Sequence, residues 1–390
     1  MKILQLHNHH EGKGGAMEVL AHELEMLAAA GHDVQQLTVP AASELALSGL
    51  RAGAKAVWNR DAAAELDRVL TAFEPDVVHV HTPFPIMSPA VFRVAHKRGV
   101  PAVTTLHSFR YSCVAGTCFR DGKVCEDCVG TKLKLSGVRH RCYHDSRAAS
   151  AALTAGLVLH RTIGTFDRCV TRYLALTAFS RDLLIRDGIA PDQVVVKPNS
   201  VPDPGFVPHP SQAERRLVFV GRLIDVKGVQ TLLDAWARVP AGMRLTIAGD
   251  GPLRPLVEQR AQNDPSIDFR GWVDEDEVFD LMGQAEAVLV PSEWYEGGPP
   301  LVVLRSLAVG TPVVVSDLEN ICADIVRDGS GWTFRVGDPQ SLAETLCLLH
   351  ADPSLAQSRR AVARDAYVER YSEEVDLKRL EEIYRNAIRD

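Results

Sequence analysis

Two basic residues follow a short apolar run in the second half of the chain. Arg222 comes directly after Gly221, which follows the run Val218–Val220, and Lys227 lies five positions beyond Arg222, next to Gly228. Two cations in a strand-to-helix turn, beside the N-terminus of the following helix, suit a diphosphate group. The alternative is that both residues are solvated cations of a surface loop, where such residues are common.

Two more apolar runs in this half of the chain end in glycine-containing turns. They are Ile247–Pro252, which contains Gly249 and Asp250, and Pro291–Pro300, which contains Glu296, Gly297 and Gly298, while Gly310–Pro312 leads into a further predicted strand. Ligands of parallel sheets bind outside the carboxyl ends of the strands. These features favour the diphosphate interpretation over that of solvated loop cations.

Clustered cysteines indicate a second kind of chemistry. Five of the eight cysteines lie within 30 residues: Cys113, Cys118, Cys125, Cys128 and Cys142. A Cys-x-x-Cys pair with one thiol before it and one after it is typical of a structural zinc that closes an irregular loop. The predicted ligands are Cys113, Cys125, Cys128 and Cys142. Cys118 is left over, His140 or His144 could replace one ligand, and free or disulfide-forming thiols are the alternative.

Parallel sheets covered by helices are predicted to position these residues. Short β-branched runs alternate with amphipathic stretches, which is the pattern of an α/β fold. Between the first two runs, Leu20, Leu24 and Leu27 recur at helical spacing before Gly31. The predicted strands are 3–6, 34–39, 77–81, 102–106, 216–220, 244–248, 287–291 and 311–316.

Length and composition predict two domains. The chain has 390 residues, of which 46% are apolar and 24% charged, so it is too long for one core and too apolar for a disordered chain. The proline-rich run Lys197–Pro210 cannot continue a helix or a central strand. We expect a first domain over 1–198 with a cysteine-rich insert at 111–145, a second domain over 199–370, and a terminal helix over 371–390. That helix would dock through Leu377, Leu380, Tyr384 and Ile388.

The charge distribution limits the partners. A net charge of −7 gives the whole molecule no cationic field for nucleic acid.

The sequence predicts neither a membrane-spanning segment nor a signal peptide. The longest apolar stretch, Ala148–Leu159, is too short to span a membrane, and the N-terminus predicts a strand, so we expect a cytoplasmic protein.

Segment 132–172 carries a net charge of +6. It is either an ordinary solvated helical face or a contact for an anionic acceptor or the anionic inner face of a membrane.

In chain order, these motifs resemble the family 4 glycosyltransferases of GT-B architecture. The resemblance extends to Gly14-Gly15-Ala16, Gly31-His32-Asp33-Val34, Pro75–His81, the strand ending at His107, Pro198-Asn199 and the terminal helix. It implies two Rossmann-like domains facing each other across a cleft, with the C-terminal helix returning to the first. It also implies transfer of a sugar from a nucleoside diphosphate, with retention at the anomeric carbon, to a hydroxyl acceptor.

The resemblance implies roles for single residues. Arg222 and Lys227 would hold the diphosphate of a UDP- or GDP-sugar and stabilise it as it leaves, so that no catalytic metal is expected. Gly14 and Gly15 would lie against the donor phosphate and sugar, unless they form only an ordinary turn. His107 would contact the donor sugar, unless it is simply a buried, hydrogen-bonded histidine. The leaving diphosphate would itself take the proton of the acceptor.

The family signature of two glutamates is only half present. Glu296 matches the first, which lies near the sugar, but the place of the second is taken by Arg305, one position further on than the family spacing. A guanidinium only donates hydrogen bonds, so Arg305 cannot replace a carboxylate on the ribose hydroxyls. It could instead pair with Glu296 or meet a phosphate. The implied donor-binding set is Gly14, Gly15, Gly221, Gly249, Asp250, Gly297, Gly298, Leu301 and Arg305.

Two other functions stay open at this point. One is a sugar-nucleotide epimerase, which shares the two-domain outline but not the pattern of Arg222, Lys227 and Glu296. The other is a degenerate homologue that binds a sugar or a partner without turnover, which Arg305 suggests. Four histidines near strand ends remain candidates for the acceptor side: His9, His10, His79 and His81.

Overall fold

The computed structural model describes residues 1–9, 15–45, 47–207 and 215–390. They divide into two units. The first unit consists of Met1–Arg120, Cys125–Asn199 and Asp376–Asp390. The second consists of Asp121–Val124 and Ser200–Val375.

The first unit is built on a parallel sheet. Its strands are β1 (Lys2–Asn8), β2 (Asp33–Val39), β3 (Val77–Thr82), β4 (Ala102–Thr105), β7 (Arg172–Ala175) and β8 (Val194–Val196). Two strands of two residues each, β5 (Phe119–Arg120) and β6 (Lys123–Val124), lie outside the six-stranded sheets, and β6 belongs to the second unit. The helices of the first unit are α1 (Gly15–Ala29), α2 (Gly49–Val57), α3 (Arg60–Phe73), α4 (Ala90–Lys97), α5 (Leu135–Arg139), α6 (Arg147–Thr162), α7 (Thr165–Arg168), α8 (Ala178–Arg186) and α16 (Glu373–Arg389). The six-stranded order is β2-β1-β3-β4-β7-β8.

Burial explains why the sequence forms this sheet. Every residue of β3 and β4 is buried, as expected for parallel strands covered by helices on both faces. The predicted strands 3–6, 34–39, 77–81 and 102–106 are confirmed as β1 to β4. Helix α1 has the predicted position, but its buried side includes Glu23 and Met26, whereas Leu24 is only half-buried.

Helix α16 packs on the sheet of the first unit. Leu380, Ile383, Tyr384 and Ala387 are buried in one cluster with Ile3, Val77, Val103 and Leu174. The predicted stripe is therefore wrong at its end: Ile388 is 43% exposed. Ile383 and Ala387 lie four positions apart on the buried face of the helix. Ile388 is the next residue around the helix and lies outside that face.

The second unit has its own parallel sheet. Its strands are β9 (Arg216–Val220), β10 (Arg244–Ala248), β11 (Ile267–Gly271), β12 (Ala287–Val290), β13 (Val313–Ser316) and β14 (Gly331–Phe334). Its helices are α9 (Val229–Trp236), α10 (Arg254–Asn263), α11 (Glu275–Gly283), α12 (Leu301–Ala308), α13 (Glu319–Asp328), α14 (Pro339–Ala351) and α15 (Ser354–Arg370). The strand order is β11-β10-β9-β12-β13-β14, and the four strands predicted here are confirmed.

Both sheets contain a point at which the strand order reverses. In the second unit the chain moves from β9 outward to β10 and β11, then returns to place β12 on the other side of β9. In the first unit the reversal lies between β1 and β3. The loops that follow the two strands at such a point diverge and leave a crevice at their carboxyl ends.

Over the described residues, no helix is both long and apolar enough to cross a membrane.

Candidate functional site

Three of the predicted catalytic residues lie at the strand reversal of the second unit. Arg222 and Lys227 follow β9, and Glu296 follows β12, the strand next to it. The sequence placed these residues in turns but could not show that their strands are neighbours. Since both strands are parallel, the turns meet at the same edge of the sheet.

Close backbone packing shapes this edge. Gly249 has φ +145°, and a Cβ there would lie 1.9 Å from the carbonyl oxygen of Gly221. Gly228 has φ +68°, and a Cβ there would lie 1.9 Å from the carbonyl oxygen of Pro291. Only glycine fits at either position, so the turns after β9, β10 and β12 are held together through their backbones.

Lys227 and Glu296 form the central ion pair of this edge. The Nζ atom of Lys227 lies 2.5 Å from Oε1 of Glu296, and the Ser292 hydroxyl donates to the same oxygen at 2.8 Å. The Asn320 side-chain amide donates to the backbone carbonyl of Glu296 at 2.6 Å. Lys227 is 19% exposed and Glu296 is 12% exposed, so the pair is accessible from one side. Sequence analysis assigned no role to Ser292 or Asn320.

Arg222 differs from Lys227 in having no such partner. Its side chain is exposed, and within the described ranges it makes no ion pair or side-chain hydrogen bond. The turn continues through Asp225–Lys227 to Gly228, and α9 begins at Val229. An exposed guanidinium without a partner among the described residues is free to bind an anion.

The remaining predicted donor-binding residues surround the same edge. Gly297 and Gly298 lie between β12 and α12, and Leu301 is the first residue of α12. Asp250 follows β10, where its carboxylate accepts from the backbone N–H of Gly251 at 2.7 Å. Their roles toward a ligand remain predictions.

Arg305 has a partner that the sequence did not suggest. Its Nη2 atom donates to Oε1 of Glu275 on α11 at 2.8 Å. The alternative that Arg305 pairs with Glu296 is therefore wrong for the described structure, in which Glu296 pairs with Lys227. The other alternative, a contact with a phosphate, stays a prediction. An arginine on α12 reaches the neighbouring helix more readily than the loop before its own helix.

His107 lies one strand away from the strand reversal of the first unit. It follows β4 and is half-buried, and its Nε2 atom is 3.0 Å from Nδ1 of His81, at the end of β3. Burial, helped by the neighbouring His81, holds the pKa of His107 well below its ordinary value. Gly14 and His10 lie outside the described residues, and Gly15 is the first residue of α1.

A buried glutamate connects this histidine pair to the rest of the unit. Oε1 of Glu23 lies 3.1 Å from Nε2 of His81 and 3.0 Å from Nδ1 of His79, and Gln5 donates to it at 2.9 Å. Burial alone would raise the pKa of Glu23, but His79, His81 and Lys197 hold it well below its ordinary value. Burial lowers the pKa of His79 to about 4.

The C-terminal helix takes part in the same network. The Tyr384 hydroxyl lies 2.7 Å from Nδ1 of His79. Lys197 is buried, with its Nζ atom 2.7 Å from Asp376 and 3.5 Å from Oε2 of Glu23. Sequence analysis missed Glu23, Lys197 and Asp376. The available sequence signal for Glu23 was its position three residues after Leu20, on the apolar side of a predicted helix.

The cysteines lie in one irregular region of the first unit. A cavity of about 10 Å³ is lined by ten residues, among them all four predicted ligands, Cys113, Cys125, Cys128 and Cys142. Cys118 donates to the sulfur of Cys113, and this bond is the main cause that lowers the pKa of Cys113 to about 5. The four sulfurs are not at metal-ligand spacing. Over the described residues, only Glu23, His79 and His81 bring three ligand atoms within 4.8 Å of one another.

The basic segment is less cationic at its surface than its sequence indicates. Lys134 is buried and pairs with Asp187 at 2.8 Å, and Arg161 pairs with the same carboxylate at 2.6 Å. Arg172 pairs with Asp390. The count over 132–172 missed these acids because they lie outside the segment.

Two family models match consecutive parts of the chain. One, described as "Glycosyl transferase 4-like domain", matches residues 14–200. The other, described as "Glycosyl transferases group 1", matches residues 214–352.

Curated relatives are similar over shorter stretches. An exopolysaccharide phosphotransferase of Streptomyces coelicolor is 30% identical over 209 residues, which cover 52% of this chain and 22% of that protein. A GDP-mannose-dependent alpha-(1-6)-phosphatidylinositol dimannoside mannosyltransferase of Mycobacterium tuberculosis is 36% identical over 152 residues, 38% of each chain. The match therefore spans less than half the length of either relative.

Solved structures match over the whole chain. The apo form of the lipopolysaccharide outer core galactosyltransferase WaaB has a TM-score of 0.66 at 17% identity, covering 100% of this chain and 99% of that one. The Anabaena protein HepE in complex with UDP has a TM-score of 0.67 at 16% identity, covering 98% and 99%. At this identity the likeness shows the fold, which is GT-B.

Proposed function

The chain belongs to the group 1 glycosyltransferases with a glycosyl transferase 4-like domain, and on that premise we propose that it uses a nucleoside-diphosphate sugar bound at the strand reversal of the second unit. One observation carries the proposal. Arg222, exposed and unpaired within the described residues, and the Lys227–Glu296 pair follow two neighbouring strands at one sheet edge. A hydroxyl group of a glycan, a lipid-linked saccharide or a small metabolite is the proposed acceptor.

The chemistry follows from the charges at this edge. Arg222 and Lys227 would neutralise the diphosphate as it leaves the anomeric carbon, in a site where fixed cations stabilise the developing negative charge. The leaving phosphate oxygen would take the acceptor proton, and the acceptor oxygen would form the new bond on the same face, so that the configuration is retained. Glu296 would lie near the sugar and hold Lys227 in place before the donor arrives.

Which nucleotide the donor carries is part of the proposal, and the descriptions of two relatives support two candidates. HepE is described in complex with UDP and with UDP-glucose, and the mycobacterial relative is described as GDP-mannose-dependent. Uracil and guanine nucleotides are therefore the first donors to test. Arg305 in place of a ribose-binding carboxylate predicts weaker nucleotide binding than an acidic residue would give.

Thermal shift with UDP, GDP, ADP and dTDP, each with and without its common sugars, tests the donor site. We expect one nucleotide to raise the melting temperature of the wild type and not that of Arg222→Ala. Arg238→Ala, which removes another exposed arginine of the second unit, is the matched control and should keep the shift. A shift that persists in Arg222→Ala would contradict the proposed phosphate site.

Product analysis with the nucleotide sugar that binds then tests the reaction. Transfer to an acceptor with retained anomeric configuration is the expected result. Isomerisation of the free nucleotide sugar without an acceptor would instead identify an epimerase. Binding without any product over a broad acceptor set would favour a homologue that has lost turnover.

We also propose a structural zinc ion held by Cys113, Cys125, Cys128 and Cys142. The cavity that these residues line supports it. Backbone N–H groups also donate to two of the sulfurs, from residues 115, 116 and 118 to Cys113 and from residues 114 and 137 to Cys128. Such bonds favour the thiolate, which is the metal-binding form, and at Cys128 they oppose burial, which raises the pKa of that thiol. Zinc binding would draw the four sulfurs together.

Metal analysis of the purified protein tests the zinc site. About one equivalent of zinc is expected, with loss of the metal in Cys128→Ser and retention in Cys347→Ser, whose cysteine lies on α14 of the second unit. A metal-free wild type that is folded and has titratable thiols would rule the site out.

Peripheral contact with an anionic membrane is a further part of the proposed function. Lys132 and Arg139 are exposed beside Leu133 and Leu135, which are 56% and 64% exposed. Basic residues next to exposed leucines suit an anionic lipid surface. Sedimentation with phosphatidylglycerol vesicles should capture the wild type and less of the Leu133→Ser/Leu135→Ser variant. Equal capture by phosphatidylcholine vesicles, or none by either, would contradict this contact.

A further inference from the structure

Glu23 determines which nitrogen of His81 carries a proton. An ionised carboxylate only accepts hydrogen bonds, and Nε2 of His81 lies 3.1 Å from Oε1 of Glu23. That nitrogen must therefore be the donor. In the neutral imidazole the other nitrogen, Nδ1, is then an acceptor.

The proton position on His81 determines the tautomer of His107. Its Nε2 atom lies 3.0 Å from Nδ1 of His81, so Nε2 of His107 must carry the proton and donate it into this bond. The rings of the two histidines lie nearly parallel, with an angle of 15° between their planes. Nδ1 of His107 is left as a lone-pair acceptor, and within the described ranges no group bonds to it.

From this geometry we infer that Glu23 is a positioning residue that acts through His81 to hold His107 in the Nε2–H tautomer. His107 then presents Nδ1 as a hydrogen-bond acceptor, suited to a sugar hydroxyl. The tautomer assignment depends only on the contacts of the first unit. Its use in catalysis rests on the proposed function, in which His107 contacts the donor sugar.

The neighbouring groups secure the glutamate in its ionised form. Lys197 places its ammonium 3.5 Å from Oε2 of Glu23, and Gln5 donates to Oε1 at 2.9 Å. Nδ1 of His79 lies 3.0 Å from Oε1 and 2.7 Å from the Tyr384 hydroxyl. Lys197, Gln5 and His81 thus all present donors to the carboxylate.

A metal ion in this group is a weaker interpretation. Glu23, His79 and His81 have three ligand atoms within 4.8 Å of one another, which would suffice for a metal. However, the ammonium of Lys197 beside the same carboxylate repels a cation. Of the two ring nitrogens that face the carboxylate, Nδ1 of His79 also contacts the Tyr384 hydroxyl at 2.7 Å.

The test is a long-range ¹H–¹⁵N NMR spectrum of the ¹⁵N-histidine-labelled protein without substrate. Such a spectrum distinguishes the two tautomers of each ring. His160 is an internal reference, because its Nε2 atom donates to the carbonyl oxygen of Val57 at 3.0 Å and so fixes the Nε2–H form independently of Glu23. The His107→Gln variant identifies the signal of His107.

In the wild type we expect the Nε2–H form for His81 and His107, matching His160. In Glu23→Leu, we expect His107 to become a mixture of tautomers while His160 is unchanged. Glu23→Gln, which keeps an acceptor oxygen, should retain most of the Nε2–H form. If Glu23→Leu does not fold, the wild type and Glu23→Gln still decide the question.

Three results would overturn the inference: an Nδ1–H form of His107 in the wild type, a doubly protonated His81 at neutral pH, or an unchanged His107 in folded Glu23→Leu. Because no substrate is present, failure of the proposed transferase chemistry would not affect this measurement. If the transferase is active, Glu23→Leu should lower kcat on the order of tenfold or more, through the misplaced ring. Glu23→Gln should recover much of that loss.

Discussion

Lys227 and Glu296 bind each other before any donor is present, with their charged atoms 2.5 Å apart. The two residues are 69 positions apart and reach the same sheet edge from the turns after β9 and β12. The carboxylate therefore holds the ammonium at the edge where a diphosphate is proposed to bind. A donor that binds there must share this ammonium with Glu296.

Removing either member of the pair should impair turnover strongly. Lys227→Ala loses a charge-assisted contact to the diphosphate, worth about 1.5–3 kcal/mol in kcat/KM. Glu296→Ala releases the lysine, and the double variant should lose less than the sum of the two because the residues act together. Steady-state kinetics of the four proteins measure the coupling, and strict additivity would show that the pair has no joint role.

Arg305 should contribute little to donor binding. Its guanidinium is 16% exposed and is held by Glu275, so Arg305→Ala is expected to change the nucleotide Kd by less than about threefold and the stability by about 0–1 kcal/mol. Glu275→Gln, which frees the guanidinium, is the matched comparison. Calorimetric titration measures the nucleotide Kd of both variants. A tenfold loss of affinity in Arg305→Ala would mean that the arginine leaves Glu275 to bind the donor.

Gly228→Ala should destabilise the second unit much more than Gly271→Ala. Both glycines have φ +68°, so both substitutions carry the same backbone strain, about 1–2 kcal/mol. A Cβ at position 228 would lie 1.9 Å from the carbonyl oxygen of Pro291, whereas nothing lies within 4 Å of one at position 271. Urea unfolding of the two variants isolates the packing contribution, and equal losses would contradict the close approach.

The protein should lose stability as the pH falls from about 7 to 4. Burial lowers the pKa of both His79 and His160 from 6.5 to about 4. Between these values the unfolded chain takes up protons that the folded chain does not, so the free energy of unfolding rises with pH and levels off above the unfolded pKa. For the fully buried His79, the difference corresponds to at most about 3 kcal/mol.

Urea unfolding at pH 5 and pH 7.5 checks this sign. His160→Gln removes one of the two groups without touching the Glu23 network, so its loss of stability between the two pH values should be smaller than that of the wild type. A variant with the same or a larger pH dependence would show that His160 takes up a proton while the protein is still folded.

The sequence predicts the fold more completely than it predicts the contacts of the site. β-Branched runs such as Val77–Val80 indicate buried parallel strands directly, because their pattern is local. Arg222, Lys227 and Glu296 were found through the turns that carry them. The partner of Arg305 could not be predicted, because Glu275 lies 30 residues away on another helix. Only the packing of α11 against α12 brings the two together.

Buried charges could not be recognised from the sequence. Lys134 belongs to the basic segment 132–172, yet its ammonium is buried and pairs with Asp187, which lies 53 positions later. Lys197 begins the proline-rich run that predicts a linker, although it is 1% exposed and pairs with Asp376. A charged residue has the same sequence signature whether it is solvated or paired inside the protein. The pairing partner, fixed by the fold, makes the difference.

The placement of α16 has a consequence for how the protein is made. The first unit receives Asp376 and Tyr384 from the end of the chain, and these residues bind Lys197 and His79. Synthesis runs from the N-terminus, so Lys197 leaves the ribosome well before its partner exists. Chains usually complete their first domain first. Here Ser200–Val375 is synthesised in full before Asp376 can join Glu23 beside the buried lysine.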